Sequence, residues 1–144
     1  MKIWNKLNLL VIGLIISILP TFAVSNWAQI DNYTYIDTNS LRKENYSNSN
    51  YNNYYSIWSK KLNNGSKRFL DMESFYNSKI LFSLEQLYFD CKNKRLALKC
   101  YISYDLVGNV VVDNTIMDYN LLFTNIAPET IGEKIYDYVC TGRF

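Results

Sequence analysis

The strictest constraint on the fold is an alternating stretch, residues 95–106, that runs up to a Gly-Asn pair. Side chains of a β-strand alternate between two faces. Every second position of this stretch is apolar: Leu96, Leu98, Cys100, Ile102, Tyr104 and Leu106. Branched residues resume directly after Gly108-Asn109, and a two-residue loop that begins with Gly is typical of a type II′ turn. The stretch therefore predicts an antiparallel β-hairpin in which Cys100 faces inward.

Four further strands are predicted upstream of the hairpin. They are Trp27 to Ile30, Tyr33 to Asp37, Tyr54 to Leu62 and Lys79 to Asp90. The last of these carries apolar residues on both of its mixed faces, with Phe82 and Leu84 on one side and Leu87 and Phe89 on the other. Because a strand at the centre of a sheet can be covered on both faces, we expect this strand to be central.

Loops and turns separate these strands. Asp37, Asn39 and Ser40 supply turn chemistry after the second strand, and Asn64-Gly65 predicts a turn after the third. The Asn/Ser/Tyr-rich residues 45–55 indicate a solvated surface loop rather than a recognition loop, although both readings stay open. Residues 69–77 fit either a helical turn or a loop.

The C-terminal segment changes to a helical period. Pro128 suits the first turn of a helix. Apolar residues then recur at the spacing of one helix face: Ile131, Ile135, Tyr138 and Val139. Gly142 is placed to end the helix. We expect the apolar stripe of this helix to pack on the sheet.

The N-terminus has the three parts of a secretory signal peptide. Lys2 and Lys6 are followed by an apolar run and by a small-residue cleavage site, so cleavage is expected after Ala23. An uncleaved anchor is the alternative, but a run of about 13 apolar residues is short for a bilayer. A lipoprotein would need a cysteine just after this run, and the first cysteine is Cys91. Residues 1–23 are thus predicted to be a signal peptide and residues 24–144 a single, exported domain without a lipid anchor.

Charge and composition exclude several kinds of function. The chain has 15 basic and 13 acidic residues, and removing Lys2 and Lys6 leaves 13 of each. Such a balance argues against binding to nucleic acid or to an anionic membrane surface. Because histidine is absent, Ser-His or Cys-His nucleophile pairs and imidazole metal ligands are excluded. The 13 tyrosines suit a binding surface, but the ordinary burial of aromatic rings favours the sheet core.

The three cysteines permit one disulfide in an oxidising compartment. Cys100 lies on a strand face that its neighbours fill, so we expect a buried free thiol. Cys91 at a strand end and Cys140 at the helix end lie on different elements and can be joined without distorting a strand. We therefore expect a Cys91–Cys140 disulfide. No metal site is predicted, because zinc needs four close ligands and none of the usual spacings occurs.

Five segments in order resemble the bacterial surface-adhesin protein E family, over nearly all of residues 24–144. They are NWAQI, YIDTNSLRK, YSIWSK, FDCKNKRLALKCYISYDLVGNVV and IAPETIGEKIYDYVC. The resemblance implies an α+β fold, with an antiparallel meander of about six strands and a C-terminal helix packed on one face. It also implies that Cys91 and Cys140 pin the helix to the sheet, in agreement with the argument from position.

The resemblance also implies a function. The name-giving member of the family is an outer-membrane lipoprotein that binds vitronectin, laminin and plasminogen and has been linked to haem. This chain lacks the lipoprotein cysteine and histidine, which puts lipid-anchored display and imidazole-ligated haem in doubt, so no cofactor is expected. Basic pairs at Arg42-Lys43 and Lys67-Arg68 read as ordinary solvated faces. We expect no nucleic-acid partner and no membrane-spanning segment after cleavage, and a homodimer through free sheet edges stays open.

Three classes of function follow from these observations. The leading class is a secreted or envelope binding protein of adhesin type, which uses exposed aromatic residues and loops to bind host extracellular-matrix or plasma proteins. The alternative is a periplasmic structural or envelope-maintenance protein without a host ligand. An enzyme is not expected, since carboxylate pairs such as Asp71 and Glu73 read as exposed charge, and no catalytic residue is predicted.

Overall fold

The computed structural model describes residues 26–44, 54–63 and 80–143. Its strands are β1 (Trp27–Gln29), β2 (Thr34–Glu44), β3 (Tyr54–Leu62), β4 (Ile80–Asp90), β5 (Arg95–Asp105), β6 (Val110–Thr115) and β7 (Thr124–Asn125). A short 3₁₀ turn (Asp118–Asn120) lies between β6 and β7, and helix α1 (Ile131–Tyr136) continues into a π-helical turn (Asp137–Thr141).

The sheet is an antiparallel meander in which each strand from β1 to β6 pairs with the next. The short β7 pairs with the start of β5, through Arg95 and Leu96. β4 lies between β3 and β5, so its predicted central position is confirmed. The predicted α+β class, with a meander followed by a C-terminal helix, is confirmed as well.

The turn-forming residues after Asp37 produce a β-bulge within β2 and do not end the strand. The register with β3 shifts between Asp37 and Arg42. The Asp37 carboxylate accepts the Asn39 N–H at 3.1 Å, while the Ser40 hydroxyl donates to the Asp37 carbonyl at 2.6 Å and accepts the Trp58 N–H at 2.9 Å. Because these side chains supply the hydrogen bonds that the ladder loses, the strand continues to Glu44, seven residues beyond its predicted end.

A second bulge corrects the predicted faces of β5. Cys100 pairs with Gln86 and Leu98 with Leu87, so Lys99 is an extra residue and the alternation reverses there. Leu96 and Leu98 consequently lie on the face that carries the helix. Cys100, Ile102 and Tyr104 lie on the other face, so the prediction that these five residues share one side with Leu106 was wrong.

The hairpin between β5 and β6 is antiparallel, as predicted, but its loop has four residues, 106–109. The predicted two-residue Gly108-Asn109 loop was therefore wrong. The cause is Asp105, whose carboxylate accepts the backbone N–H of Val107 at 2.9 Å and of Asn109 at 2.8 Å. Although desolvation acts to raise it, these hydrogen bonds hold the pKa of Asp105 below its ordinary value. Gly108, with a φ of 87°, accommodates the reversal.

Helix α1 begins three residues after Pro128, so Pro128 is in the turn before the helix and not in its first turn. Thr130 is the N-cap, and its hydroxyl accepts the Glu133 N–H at 3.2 Å. Glu133 in turn accepts the Glu129 N–H at 2.7 Å and pairs with Lys94 at 2.5 Å. The hydrogen bond from Lys94, followed by that from Glu129, lowers the pKa of Glu133. Gly142 ends the π-helical turn in the left-handed conformation, with a φ of 66°.

The core lies between the helix and one face of the sheet, called here the helix face. Its buried members come from the sheet, the β7–α1 connection and the helix: Ile36, Ile57, Leu87, Phe89, Ile126, Ile135 and Val139. A Cβ at Gly132 would lie 2.9 Å from Leu96 Cδ2, so glycine is what lets the helix approach β5 this closely. Cys91 and Cys140 form the expected disulfide, with Cα atoms 5.5 Å apart, and it pins the end of the helix to β4.

Several predictions lie outside the described residues. They concern the signal peptide at 1–23, the loop at 45–53, the Asn64-Gly65 turn and segment 69–77, together with Asp71, Glu73 and Lys67-Arg68.

Candidate binding surface

The sheet face opposite the helix, called here the open face, carries a half-buried aromatic surface. Residues directly opposite one another on paired strands project from the same side. One row of such partners is Trp27, Asp37, Trp58 and Gln86; the next is Tyr35, Lys60, Leu84 and Ile102; the third is Leu62, Phe82 and Tyr104. All of these side chains are intermediate in exposure. Five aromatic rings thus stand on one side of the sheet without being fully covered.

Lys60 stands among these rings. Its Nζ lies 4.5 Å from the centre of the Phe82 ring and 6.0 Å from that of Trp27. Phe82 also stacks on Tyr104, with ring centres 4.7 Å apart and planes inclined by 19°. Lys60 belongs to no ion pair within the described ranges. Its neighbour Lys61 projects from the helix face and pairs with Glu85 at 2.7 Å.

One end of the open face is covered by residues 116–123, called here the strap. The strap is fixed at its start by Lys99, which donates to the Ile116 carbonyl at 2.7 Å and forms an ion pair with Asp118. At its end Phe123 stacks on Tyr54 of β3, with ring centres 4.6 Å apart, and Arg95 lies 5.7 Å from the same Phe123 ring. The strap is therefore attached to β3 and β5 by side chains.

The outer side of the strap is apolar and exposed. Met117 is 59% exposed, Tyr119 86% and Leu122 77%. The strap begins beside Thr115, which pairs with Cys100 in the same row as Trp58, so the start of the strap borders the aromatic rows. Exposed apolar residues grouped in this way mark interaction surfaces more often than scattered ones.

Beneath this end of the open face, Tyr88 is buried and opposite Ala97. Burial raises the pKa of Tyr88, and the carboxylates of Glu44 and Asp118 raise it further. The Tyr88 phenol therefore stays protonated at physiological pH, and it contributes packing rather than charge.

The helix face has a polar half around Glu85. Ser59, Ser83 and Ser103 are almost completely buried, and their hydroxyls have no hydrogen-bond partner among the described residues. They lie around Glu85, which is opposite Ser59, and around Lys61, which is opposite Ser83. Three serines beside a carboxylate and an amine resemble a catalytic cluster in composition, but a substrate has no access to hydroxyls buried this deeply.

The cysteines take three positions in this architecture. Cys91 and Cys140 form the disulfide between β4 and the helical segment. Cys100 is a free, buried thiol on the open-face side, where the Thr115 hydroxyl lies 3.5 Å from its Sγ. Among residues 26–44, 54–63 and 80–143, no group of three or more potential ligands could hold a metal ion.

The sequence interpretation assigned the aromatic residues mainly to the core and missed the open face. The signal was present in β4, where Phe82 and Leu84 alternate with Ser83 and Glu85. That pattern shows two half-apolar faces, and the structure shows which of them lies against helix α1. Arg42 and Lys43, which the sequence interpretation treated as solvated, are exposed on β2.

Comparison with known proteins places this architecture in a family. The sequence profile of the family described as "Surface-adhesin protein E" matches residues 23–141. The chain belongs to the surface-adhesin protein E family. No curated protein sequence matches the chain.

Solved structures of Haemophilus influenzae protein E share the fold of this family member. Crystal form II superposes with a TM-score of 0.52 at 11% identity, over 85% of this chain and 93% of that chain. A second structure gives a TM-score of 0.52 at 14% identity, over 85% and 89%. The selenomethionine form gives 0.50 at 12% identity, over 85% and 91%. At these identities the likeness is one of fold.

Family membership makes this an adhesin-like protein of the exported or cell-surface class, in a family of adhesins rather than enzymes. In the part of the chain that the structure describes, no helix is long and apolar enough to cross a membrane.

Proposed function

We propose that this surface-adhesin protein E family member binds host extracellular-matrix or plasma proteins through its open face. The observation that carries the proposal is the group of half-buried aromatic rings around Lys60, on the side of the sheet opposite helix α1. Tyrosine and tryptophan combine large contact areas with polar edges, and they are enriched where proteins bind one another.

The strap extends this surface. Tyr119 and Leu122 project from it, although the strap itself is fixed to β3 and β5 by Phe123 and Lys99. Side chains on a fixed backbone lose less conformational freedom on binding than side chains on a loose loop. The open face and the outer side of the strap together form the proposed adhesive surface.

Vitronectin, laminin and plasminogen are the partners to test first, because the resemblance to the family implies them. In this proposal the chain is exported, its first 23 residues are removed after Ala23, and residues 24–144 act as one domain outside the cell membrane. No catalytic step and no cofactor is part of the function.

The first test is a binding assay with immobilised vitronectin, laminin and plasminogen. Trp58→Ala and Tyr119→Ala should each weaken the binding of wild-type protein at least about tenfold, the range expected for central aromatic residues of an interface. Lys134→Ala, an exposed change on the helix, is the matched control and should leave binding unchanged. Equal binding by all four proteins would contradict the proposed surface.

Location is tested separately, by protease treatment of intact producing cells and by a blot of the medium. Digestion on intact cells, or release into the medium, is the expected result. Protection until the outer membrane is opened would contradict an adhesive role and would favour a periplasmic structural protein.

A further inference from the structure

We infer that the open face recognises an extended protein segment in which one acidic residue has an apolar residue two positions before it and another two positions after it. This inference rests on the proposed function and adds to it the chemistry of the partner. It is carried by Lys60, by the rings around it and by the acidic residues Asp37 and Asp113 on the same face.

The anionic position follows from Lys60. Its ammonium lies over Phe82 and near Trp27, and it has no carboxylate partner within the described ranges, whereas Lys61, Lys94, Arg95 and Lys99 each have one. A partner that covered this face with apolar groups alone would bury an unpaired cation, which is strongly unfavourable. A carboxylate placed over Lys60 removes that cost.

The apolar positions follow from what lies on either side of Lys60. Trp58 lies two residues before Lys60 and Leu62 two residues after it, so all three project from the same face of β3. Leu84 lies directly opposite Lys60 on β4, and Phe82 lies opposite Leu62. An extended segment that follows β3 places alternate side chains about 6.6 Å apart, so an acidic residue at Lys60 brings its apolar neighbours over Trp58 and Phe82.

Two acidic residues on the open face argue against a polyanion such as a sulfated glycan. Asp37 lies beside Trp58 in its row, and the exposed Asp113 lies opposite Ile102 in the row of Lys60. A chain with closely spaced negative charges would meet these carboxylates as soon as it extended beyond Lys60. One cation between two acidic residues suits one isolated negative charge on the partner.

The test compares two synthetic peptides, acetyl-Leu-Ser-Glu-Ser-Leu-amide and its twin with Gln in place of Glu. Binding is followed by NMR through the indole N–H resonances of Trp27 and Trp58, which both lie on the open face. Wild-type protein should bind the Glu peptide about three- to fivefold more tightly than the Gln peptide, as expected for one half-exposed ion pair. Both indole resonances should shift.

Two variants separate a specific effect from a general one. Lys60→Met keeps the apolar stem and should bind both peptides equally. Lys43→Met removes an exposed lysine from the opposite side of the sheet, where Lys43 lies opposite Tyr55 in the strand register. This variant should keep the full preference for the Glu peptide.

Three results would overturn the inference: equal binding of the two peptides by wild-type protein, a preference for Glu that survives in Lys60→Met, or no shift of either indole. Tighter, Lys60-dependent binding of a heparin oligosaccharide would overturn it in favour of a glycan. If any of these occurred while Trp58→Ala still weakened binding to the immobilised host proteins by the expected factor, the proposed function would stand and only the partner chemistry would be wrong.

Discussion

The two faces of the sheet carry similar numbers of large apolar side chains but use them differently. On the helix face Ile57, Leu87 and Phe89 are buried beneath α1, and the disulfide holds the helical segment against them. On the open face Trp58 and Phe82 are half-buried, although Trp58 directly follows Ile57 along β3. Apolar surface that the helix removes from water stabilises the fold, and apolar surface that remains partly hydrated is available to a partner.

Neither face is uniform. The helix face ends in a polar half around the unpartnered Ser83, and the open face ends beneath the strap, where Tyr88 and Asp90 are as buried as core residues. The comparison therefore predicts that the stability lost on truncating a side chain depends on how deeply that side chain is buried, and not on which face of the sheet carries it. Four sets of variants test this, in order of decreasing effect.

Phe89→Ala should have the largest effect. Phe89 is completely buried at the centre of the core, and truncating such a ring costs roughly 3 to 5 kcal/mol in the free energy of unfolding. Urea unfolding followed by circular dichroism measures the loss. A change below about 1 kcal/mol would mean that the helix does not cover Phe89 in solution.

Replacing both Cys91 and Cys140 with Ala should cost about 4 kcal/mol, because the bridge closes a loop with a sequence separation of 49 and constrains the unfolded chain. Differential scanning calorimetry should show a lower Tm. Cys100→Ala is the control and should change the Tm little, since Cys100 is not bridged. Finding Cys100 in a disulfide by unreduced peptide mapping would contradict this arrangement.

Asp90 tests the covered end of the open face through pH. Its carboxylate accepts hydrogen bonds from Arg95 at 2.7 Å and from the Asn93 amide at 2.8 Å. Desolvation acts to raise the pKa of Asp90, but these hydrogen bonds outweigh it and hold the pKa below the ordinary value of 3.8.

Folding lowers the pKa of Asp90, so the charged carboxylate stabilises the protein at a pH above the pKa that Asp90 has in the unfolded chain. This contribution is lost as the pH falls through the pKa that Asp90 has in the folded protein. Asp90→Asn should therefore cost about 2 kcal/mol at neutral pH, and less as the pH falls below about 3.8. Urea unfolding of both proteins at two pH values measures this. A cost that is the same at both pH values would contradict the role of the carboxylate charge.

Ser83→Ala should have the smallest effect, and it should not destabilise. The Ser83 hydroxyl is buried without a partner in the described ranges, so removing it removes a desolvation cost and should leave the protein unchanged or up to about 1 kcal/mol more stable. Thr130→Ala is the matched deletion of a hydroxyl that accepts a helix N–H, and it should cost about 1 kcal/mol. Equal losses for the two variants in urea unfolding would show that Ser83 has a partner.

The sequence predicted the order of the strands well and their local irregularities poorly. The bounds of β3 followed from composition alone, whereas the bulge at Lys99 did not. A bulge inserts one residue without changing the apolar alternation that the sequence displays, so only the pairing with Gln86 and Leu87 shows it. The four-residue hairpin loop was missed for a similar reason. The Asp105 carboxylate accepts hydrogen bonds from the backbone of the loop, and a rule based on the Gly-Asn dipeptide alone does not include them.

The candidate binding surface was harder to predict than the fold. Polar and apolar residues alternate in β3 and β4 in the same way whether one face of the sheet is covered or both are. The sequence pattern therefore assigned Trp58 and Phe82 to the core. The number of helices decides the matter, since the described part of the chain packs a single helix against one face of the sheet. The position of Lys60 over two rings depends on contacts between β1, β3 and β4, which no local pattern specifies.

The most direct test of this account compares Ile57→Ala and Trp58→Ala, neighbours on β3 that project from opposite faces. For each variant, the free energy of unfolding and the affinity for the host protein that wild type binds are measured while the protein is fully folded. Ile57→Ala should lose roughly 2 to 5 kcal/mol of stability and keep its affinity. Trp58→Ala should lose less than about 2 kcal/mol of stability and most of its affinity. Equal loss of affinity in the two variants, or none in Trp58→Ala, would contradict the assignment of the open face to binding.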